Sequence, residues 1–404
     1  MTERETAPPS TEPTADAEAV EPMGEIGTPL PRPTVPRPTP EQPATGNPAL
    51  EPATDEPWVT GQWYVALPSA ALRPGRMLAR ILFGQPVLLA RRRDGSVFAL
   101  RDLCPHRGIP LSAGRFDGET VACGYHGWRF DGEGRCTLIP SLAEQSQVDT
   151  GRVRTGAWRV VERQGLIWIW LPDPAHAADA APPPPAPLPD VGEAAPRAAV
   201  QLLYETDIDN AAFGMVDPAH IPFVHSAWWL RRSAEELRLK EKHFEPVEMA
   251  GRPGWTMTRH PIRRVTPFHR LLGRQVETEI ALVLPGLRIE RIIGERHTIL
   301  NLLAITPIDA KNTTMTQAIW WSMPGLGWMA PAVRAAARRF LDQDGAIIRK
   351  QNVGLAFNPR QMLVADADQQ MRWWLRLRNE WRAHRAESRP LQNPVTSRTL
   401  RFRS

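Results

Sequence analysis

Residues 104–110 read Cys104-Pro-His106-Arg-Gly-Ile-Pro, and residues 123–128 read Cys123-Gly-Tyr-His126-Gly-Trp. The first stretch is a C-x-H pair and the second a C-x-x-H pair, with sixteen residues between His106 and Cys123. Two thiolates and two imidazoles in two short clusters can grip a metal centre from two loop tips. A structural Cys₂His₂ zinc site is the simplest alternative, but zinc fingers favour C-x₂₋₄-C and H-x₃₋₅-H, whereas each pair here is mixed. The two pairs set the expectation for everything around them.

The flanks read as short strands. Gly61-Gln-Trp-Tyr-Val-Ala-Leu starts one, and residues 84–100 read as a hairpin turning at Asp94-Gly95. Residues 129–135 form another turn, and Gly165-Leu-Ile-Trp-Ile-Trp-Leu is a strongly apolar closing strand. Frequent glycine turns without a long helical pattern predict a small all-β domain over 58–172, with the ligand pairs on loops at strand ends. The two-part motif, with glycines after both pairs and Pro-His-Arg-Gly in the first, resembles the Rieske family. That resemblance implies one [2Fe–2S] cluster, with Cys104 and Cys123 on one iron and His106 and His126 on the other. Imidazole in place of thiolate removes negative charge and raises the potential, to roughly −150 to +300 mV.

The chain has 404 residues, enough for two or three domains, and 42 % are apolar. Of three cysteines only Cys136 lies outside the motif, which excludes a disulfide framework and makes Cys136 a small core residue. No apolar run of about 18 residues and no signal-peptide core is present, so a soluble, cytoplasmic protein with no membrane partner is expected. Residues 1–57 hold 14 of the 42 prolines and 11 acidic against 3 basic residues, which predicts a disordered tail. The tail is therefore −8 and the remaining chain +13, for a net charge of +5. Nothing resembles a nucleic-acid motif, so this basic body suits an acidic protein partner such as a ferredoxin.

A Pro/Ala-rich linker is expected over 173–197, a second domain over 198–385 and a basic C-terminal tail over 386–404. Strand-like runs at 255–262, 276–284, 287–293, 297–306 and 313–322 suggest an antiparallel meander. Helices are expected over 328–352, with Val333, Ala337, Phe340, Leu341 and Ile347 at near-helical spacing, and over 366–385, with Trp373, Trp374, Leu377 and Trp381. The arginine-rich face of the latter reads as a solvated surface. The fold class is therefore α+β: a β domain, then an antiparallel sheet covered by helices.

Residues 209–225 carry the second motif, Asp217-x₂-His220-x₄-His225. Two histidines and a carboxylate on one face of a metal, with open positions opposite, form the facial triad of non-haem Fe(II) oxygenases. Five residues of ideal helix leave the two histidines about 140° apart, so the segment must bend or unwind between them. Pro222 lies there, and a helix starting near Pro218 would place its missing N–H among the unpaired first four.

About 100 residues after a Rieske motif, this element resembles the mononuclear iron motif of Rieske-type ring-hydroxylating oxygenases. The resemblance covers residues 58 to about 355. It implies His220 and His225 as iron ligands, Asp217 as a bridge from His220 to His126 of a neighbouring subunit, and a late carboxylate as third ligand. Asp344 fits that place best and Asp342 second, although Arg349 stands where the family often has glutamate.

His243, His260, His269 and His297 read as surface or satisfied strand histidines, Asn210 as an iron neighbour or an Asx-type turn, and Trp228-Trp229 and Trp320-Trp321 as core or pocket lining. What the resemblance implies is a terminal oxygenase that hydroxylates or oxidatively demethylates an aromatic or polycyclic molecule, using O₂, the cluster and one Fe(II). Subunits would pack head to tail as a homotrimer. No G-x-G-x-x-G fingerprint is present, so electrons would come from a separate NAD(P)H-dependent reductase or ferredoxin. The alternative is an electron-transfer Rieske protein with a ligand-binding domain and no oxygenase activity.

Overall fold

The computed structural model describes residues 58–173, 182–225, 237–262, 271–357, 359 and 361–404. The tail at 1–57, Trp228-Trp229 and His269 lie outside the described residues.

The first part is built from strands joined by loops and three short 3-10 turns, with no α-helix among its described residues. The strands are β1 (Gln62–Pro68), β2 (Arg76–Leu82), β3 (Gln85–Arg91), β4 (Val97–Arg101), β5 (Arg115–Phe116), β6 (Val121–Ala122), β7 (Arg129–Phe130), β8 (Cys136–Leu138), β9 (Ala157–Trp158), β10 (Val160–Arg163) and β11 (Leu166–Leu171). They form three antiparallel sheets, ordered β1-β11-β10, β2-β3-β4-β9 and β5-β6-β7-β8. The β3–β4 hairpin turns at Gly95, whose φ of +95° an L side chain resists, and Asp94 Oδ1 accepts the Ser96 N–H at 2.8 Å.

Strand β11 shows why its sequence lacks alternation. It is central in its sheet, and its two faces enter two different cores. Ile167, Ile169 and Leu171 pack in a core that also holds Trp373, Leu377 and Trp381. Leu166 and Trp168 pack with Leu287, Ile289, Leu300 and Leu302. Both cores are shared with the second part of the chain, so no face of β11 meets water and every position is apolar.

The second part continues with β12 (Ala198–Tyr204), α1 (Ile208–Val216), α2 (Ile221–Val224), β13 (Leu239–Met249), β14 (Arg252–Pro261), β15 (Val276–Val283), β16 (Leu287–Gly294), β17 (Thr298–Asp309), β18 (Asn312–Trp321), α3 (Ala330–Leu355), α4 (Gln369–Glu387) and β19 (Arg398–Arg403). Its eight strands are ordered β12-β18-β17-β16-β15-β14-β13-β19, all antiparallel. The expected meander is its middle. Helix α3 buries Ala337, Leu341, Gly345 and Ile348, and α4 buries Trp373, Trp374, Leu377 and Trp381.

Three expectations change. Residues 398–403, read as part of a basic tail, form the edge strand against β13. The described part of the 173–197 stretch is anchored: Gln164 binds the Leu188 N–H at 2.7 Å, and Trp63 Nε1 donates to the Pro183 carbonyl at 2.7 Å. The arginine-rich face of α4 is not solvated. Arg378 pairs with Asp209, Arg385 Nε meets Asp173 at 2.6 Å, and burial depresses the half-buried Arg382. This face carries α4 onto α1 and onto the start of the β domain, where Trp381 Nε1 donates to the Thr60 carbonyl at 2.8 Å.

Candidate metal centres

The loops after β4 and β6 have the same construction. Cys104 N–H donates to the Ile109 carbonyl at 2.8 Å, and Cys123 N–H to the Trp128 carbonyl at 2.8 Å. Gly108 N–H returns to Cys104 O at 2.9 Å, and Gly127 N–H to Cys123 O at 3.0 Å. Gly108 and Gly127 sit at φ +71° and +70°, which closes each loop on itself at the same offset from its cysteine. Where the bases of the loops meet, an added Cβ on Gly114 would collide with the Ala122 carbonyl oxygen. Asp102, buried beside the first loop, accepts both the Ser112 N–H and hydroxyl at 2.7 and 2.6 Å.

This frame brings the four motif residues together. The Cys104 and Cys123 side chains interact, and burial with that neighbour pushes the Cys104 thiol up to about 11. The His106 and His126 rings lie 4.6 Å apart. His106 stacks on Trp128 at 4.4 Å, and its Nδ1 is buried without a hydrogen-bond partner. Two buried thiols and an orphaned imidazole nitrogen are a donor set that suits a thiolate/imidazole-ligated cluster. His126 faces outward beside Tyr125.

The second centre is assembled from helix ends. Asp207 Oδ1 caps α1 by accepting the N–H groups of Asp209 and Asn210. Asn210 Nδ2 donates to the other Asp207 oxygen at 2.7 Å, so its amide serves the cap. The chain leaves α1 at Asp217, which is extended, with Oδ1 accepting the Ala219 N–H at 2.7 Å. His220 then stands at the N-cap position of the one-turn α2 with its ring free of the helix, and His225, extended, follows its last residue. The bend required between the histidines is thus made by ending the helix at both ligands. Helix α2 starts at Ile221 rather than near Pro218, and Pro222 still falls among its first positions, where no N–H is missed.

Helix α3 brings Asp344 between the two rings. His225 Nε2 is 3.4 Å and His220 Nε2 3.6 Å from Asp344 Oδ1. Among the described residues this is the one set of three or more His, Cys, Asp or Glu whose ligand atoms all lie within 4.8 Å of one another. The motif residues at 104–126 are spread wider than a single ion's shell. Asp342 is mostly exposed and lies 3.8 Å from Arg338, one helical turn back, away from the histidines.

The side chains around the triad set its charge. Burial raises the Asp344 carboxyl to about 6, with His220 opposing. Burial works against charge on His220, but Asp217, at 3.5 Å from Nδ1, and Asp344 outweigh it and raise the imidazole. Burial lowers His225. Gln343 Oε1 lies 3.1 Å from His225 Nδ1, which fixes the proton there and leaves Nε2, buried and unpartnered, with its lone pair free. Phe340 stacks on the same ring at 3.7 Å. Gln343 and Phe340 were not anticipated; their positions one and four residues before Asp344 were the available signal. The donor set, spacing and orphaned nitrogen fit one divalent iron.

Beside the triad lies a cavity of about 980 Å³. Phe213, Met215, Leu303, Met315 and Ile348 give it apolar walls, and Arg288, Glu290, Asn301 and Gln317 a polar floor on the sheet. Trp320 and Trp321 are buried in two other cores. His243 is exposed and bonds Thr399 at 3.0 Å, and Cys136 is buried among apolar neighbours. No helix among the described residues is long and apolar enough to cross a membrane.

Comparison with known proteins agrees with this geometry. Residues 62–155 match the Rieske [2Fe-2S] domain, and residues 204–384 the vanillate O-demethylase oxygenase C-terminal domain. The chain is 41% identical over 116 residues to the 4beta-methylsterol monooxygenase of Methylococcus capsulatus, covering 28% of this chain and 31% of that protein. It is 35% identical over 178 residues to the oxygenase component of dicamba O-demethylase of Stenotrophomonas maltophilia, covering 42% and 48%. The chain thus spans less than half the length of these curated relatives. A crystal structure of dicamba monooxygenase bound to dicamba superposes with a TM-score of 0.64 at 24% identity, over 82% of this chain and 99% of that one, and shows the same fold.

Proposed function

We propose that the chain is a Rieske-type non-haem iron terminal oxygenase that hydroxylates or oxidatively demethylates an aromatic or polycyclic molecule, a reading supported by its Rieske domain and its vanillate O-demethylase-type C-terminal domain. One observation carries this: His220, His225 and Asp344 close to metal-binding distance at the wall of a large cavity, in the same chain as the paired cysteine–histidine loops. An electron-transfer protein needs the loops but has no use for the triad. The relatives named for O-demethylation and for a methylsterol support a ring substrate that carries a methyl or methoxy group.

Cys104, Cys123, His106 and His126 would hold the cluster, and His220, His225 and Asp344 the single iron. When bound, the cluster supplies single electrons and the iron activates O₂. The residues do the rest. Gln343 keeps the His225 proton on Nδ1. Asp217 orients His220 through Nδ1 and keeps its ring aimed at Asp344. The cavity walls desolvate the substrate beside the triad and hold its reacting carbon there.

We place the outward-facing His126 against Asp217 of a neighbouring copy in a homotrimer, so that a single carboxylate joins the two centres. A separate NAD(P)H-dependent reductase or ferredoxin would deliver electrons to the basic body in the cytoplasm. The test is turnover under ¹⁸O₂ with a surrogate reductase and a panel of methoxylated and methylated ring compounds. Mass spectrometry should find the label in released formaldehyde and in water if the substrate is demethylated, or one or two labelled oxygens in the ring product if it is hydroxylated. Reduction of the protein without any substrate-dependent O₂ uptake across the panel would favour the electron-transfer reading.

A further inference from the structure

The floor of the cavity holds an ion pair that does not satisfy itself. Arg288 and Glu290 stand two residues apart on β16 and line the cavity, while Leu287 and Ile289 turn the other way into a core. A guanidinium and a carboxylate that satisfy each other meet through two parallel hydrogen bonds. Here there is one, from Arg288 Nη1 to Glu290 Oε2 at 3.0 Å. Asn301, opposite Glu290 on β17, takes a second place on that same oxygen, its Nδ2 donating at 3.2 Å. Asn301 is held in turn by Gln317, whose Nε2 donates to Asn301 Oδ1 at 2.9 Å.

All of the pairing is therefore spent on one carboxylate oxygen. Among the described residues, Glu290 Oε1 and Arg288 Nε and Nη2 meet no hydrogen-bond partner, and none of the three is among the enclosed atoms of the interior. The Arg288 and Glu290 side chains keep 17% and 22% of their surface exposed, and the space they border is the cavity. A donor edge and an acceptor edge thus lie side by side, open to whatever fills the chamber.

Charge narrows the choice of ligand. The pair is neutral as a whole, so a carboxylate drawn to Arg288 is repelled by Glu290, and an ammonium drawn to Glu290 is repelled by Arg288. A neutral group that carries an acceptor and a donor next to each other meets both edges. In a ring lactam or a primary carboxamide the C=O and an N–H point the same way from adjacent atoms. A lactone has the same shape and no donor.

We propose that Arg288 and Glu290 are specificity-determining residues that bind a lactam or primary carboxamide group on a ring substrate. A free guanidinium N–H donates to its C=O, and Glu290 Oε1 accepts its N–H. This deepens the oxygenase reading and rests on it only in taking the cavity as the substrate chamber. Its test reads binding rather than turnover.

Equilibrium dialysis of the reconstituted, iron-loaded protein decides it. The probes are two- and three-ring lactams, the lactones in which oxygen replaces the N–H, and ring compounds of the same size bearing a carboxylate or an ammonium group. Lactams should bind about tenfold more tightly than their lactones, the worth of one hydrogen bond in a dry site, and more tightly than either charged set. Glu290→Gln leaves the guanidinium unopposed, so carboxylates should gain about tenfold and ammonium compounds should not. Arg288→Gln leaves the carboxylate unopposed, so the gain should pass to the ammonium compounds. Damage to folding would instead weaken every ligand alike, and the cluster spectrum and iron content show whether each variant is intact. The proposal is overturned if lactams fail to outbind lactones in the wild type, a set that does not bind at all included. It is equally overturned if the two variants shift the charged ligands in the same direction. A lactam preference in a protein without O₂ uptake would keep the contact and discard the oxygenase; O₂ uptake without that preference would do the reverse.

Discussion

Cys104 and Cys123 are held by main chain, whereas His220 and His225 are held by side chains. In the first centre each cysteine sits in a loop closed by its own peptide groups, with a glycine at φ near +70° in each. In the second, Asp217 orients one ring, and Gln343 and Phe340 the other. A backbone brace survives most substitutions and fails at the ligands themselves. A side-chain brace can be adjusted one residue at a time. The cysteine–histidine loops are thus held rigidly, and the His220–His225–Asp344 triad is the adjustable site.

The sharpest way to break this contrast is to remove a ligand from the backbone-braced site. Cys123→Ser should abolish the visible cluster spectrum while the triad still binds about one iron per chain. Loss of both metals together would mean that the centres are not independently built. Asp217→Ala should retain both metals, and single-turnover oxidation by the pre-reduced protein should fall to background. Normal turnover would remove the carboxylate from the electron path.

Smaller changes sharpen it. Gln343→Leu should weaken iron binding at the triad about 10- to 100-fold by freeing the His225 tautomer, measured by competition with a chelator, with the cluster spectrum unmoved. An unchanged affinity would make the Gln343 contact incidental. Proton competition follows from Asp344, whose carboxyl is raised to about 6. Iron uptake by the triad should be full above that pH and decline as pH falls through it. For the metal-free protein the sign is opposite. The folded state holds a proton that the unfolded chain has released above its ordinary 3.8, so this group's stabilisation is complete below 3.8 and gone above about 6. Asp344→Asn should flatten that part of the stability profile. At the small end, Gly108→Ala has open space for its Cβ and should cost only about 1–2 kcal/mol, the strain of a left-handed backbone, with the cluster spectrum retained.

The same contrast explains what could be read from the chain. The cluster loops are local, so ligand types, spacing and closing glycines stand side by side in one stretch. His220 and His225 were readable as a pair, but their third partner lies 119 residues past His225. Helical phase separates the two candidate acids: Asp344 shares a face with Phe340 and Ile348, which line the cavity, and Asp342 points two positions round toward Arg338. Strand β13 was invisible because Leu-Lys-Glu-Lys-His-Phe-Glu-Pro-Val-Glu-Met buries only Phe244, and its outer partner β19 comes from the chain's last residues. The arginines of α4 misled because pairing with Asp209 and Asp173 depends on contacts that no periodicity encodes.

Iron and acid-labile sulfide, counted in the reconstituted wild-type protein and in Asp344→Ala, test the two-centre account most directly. The wild type should hold about three irons for two sulfides per chain, and the variant about two for two with its reddish-brown spectrum and reduced-state paramagnetic signal intact. Equal iron in both proteins, or a wild type that stops at two, would contradict it.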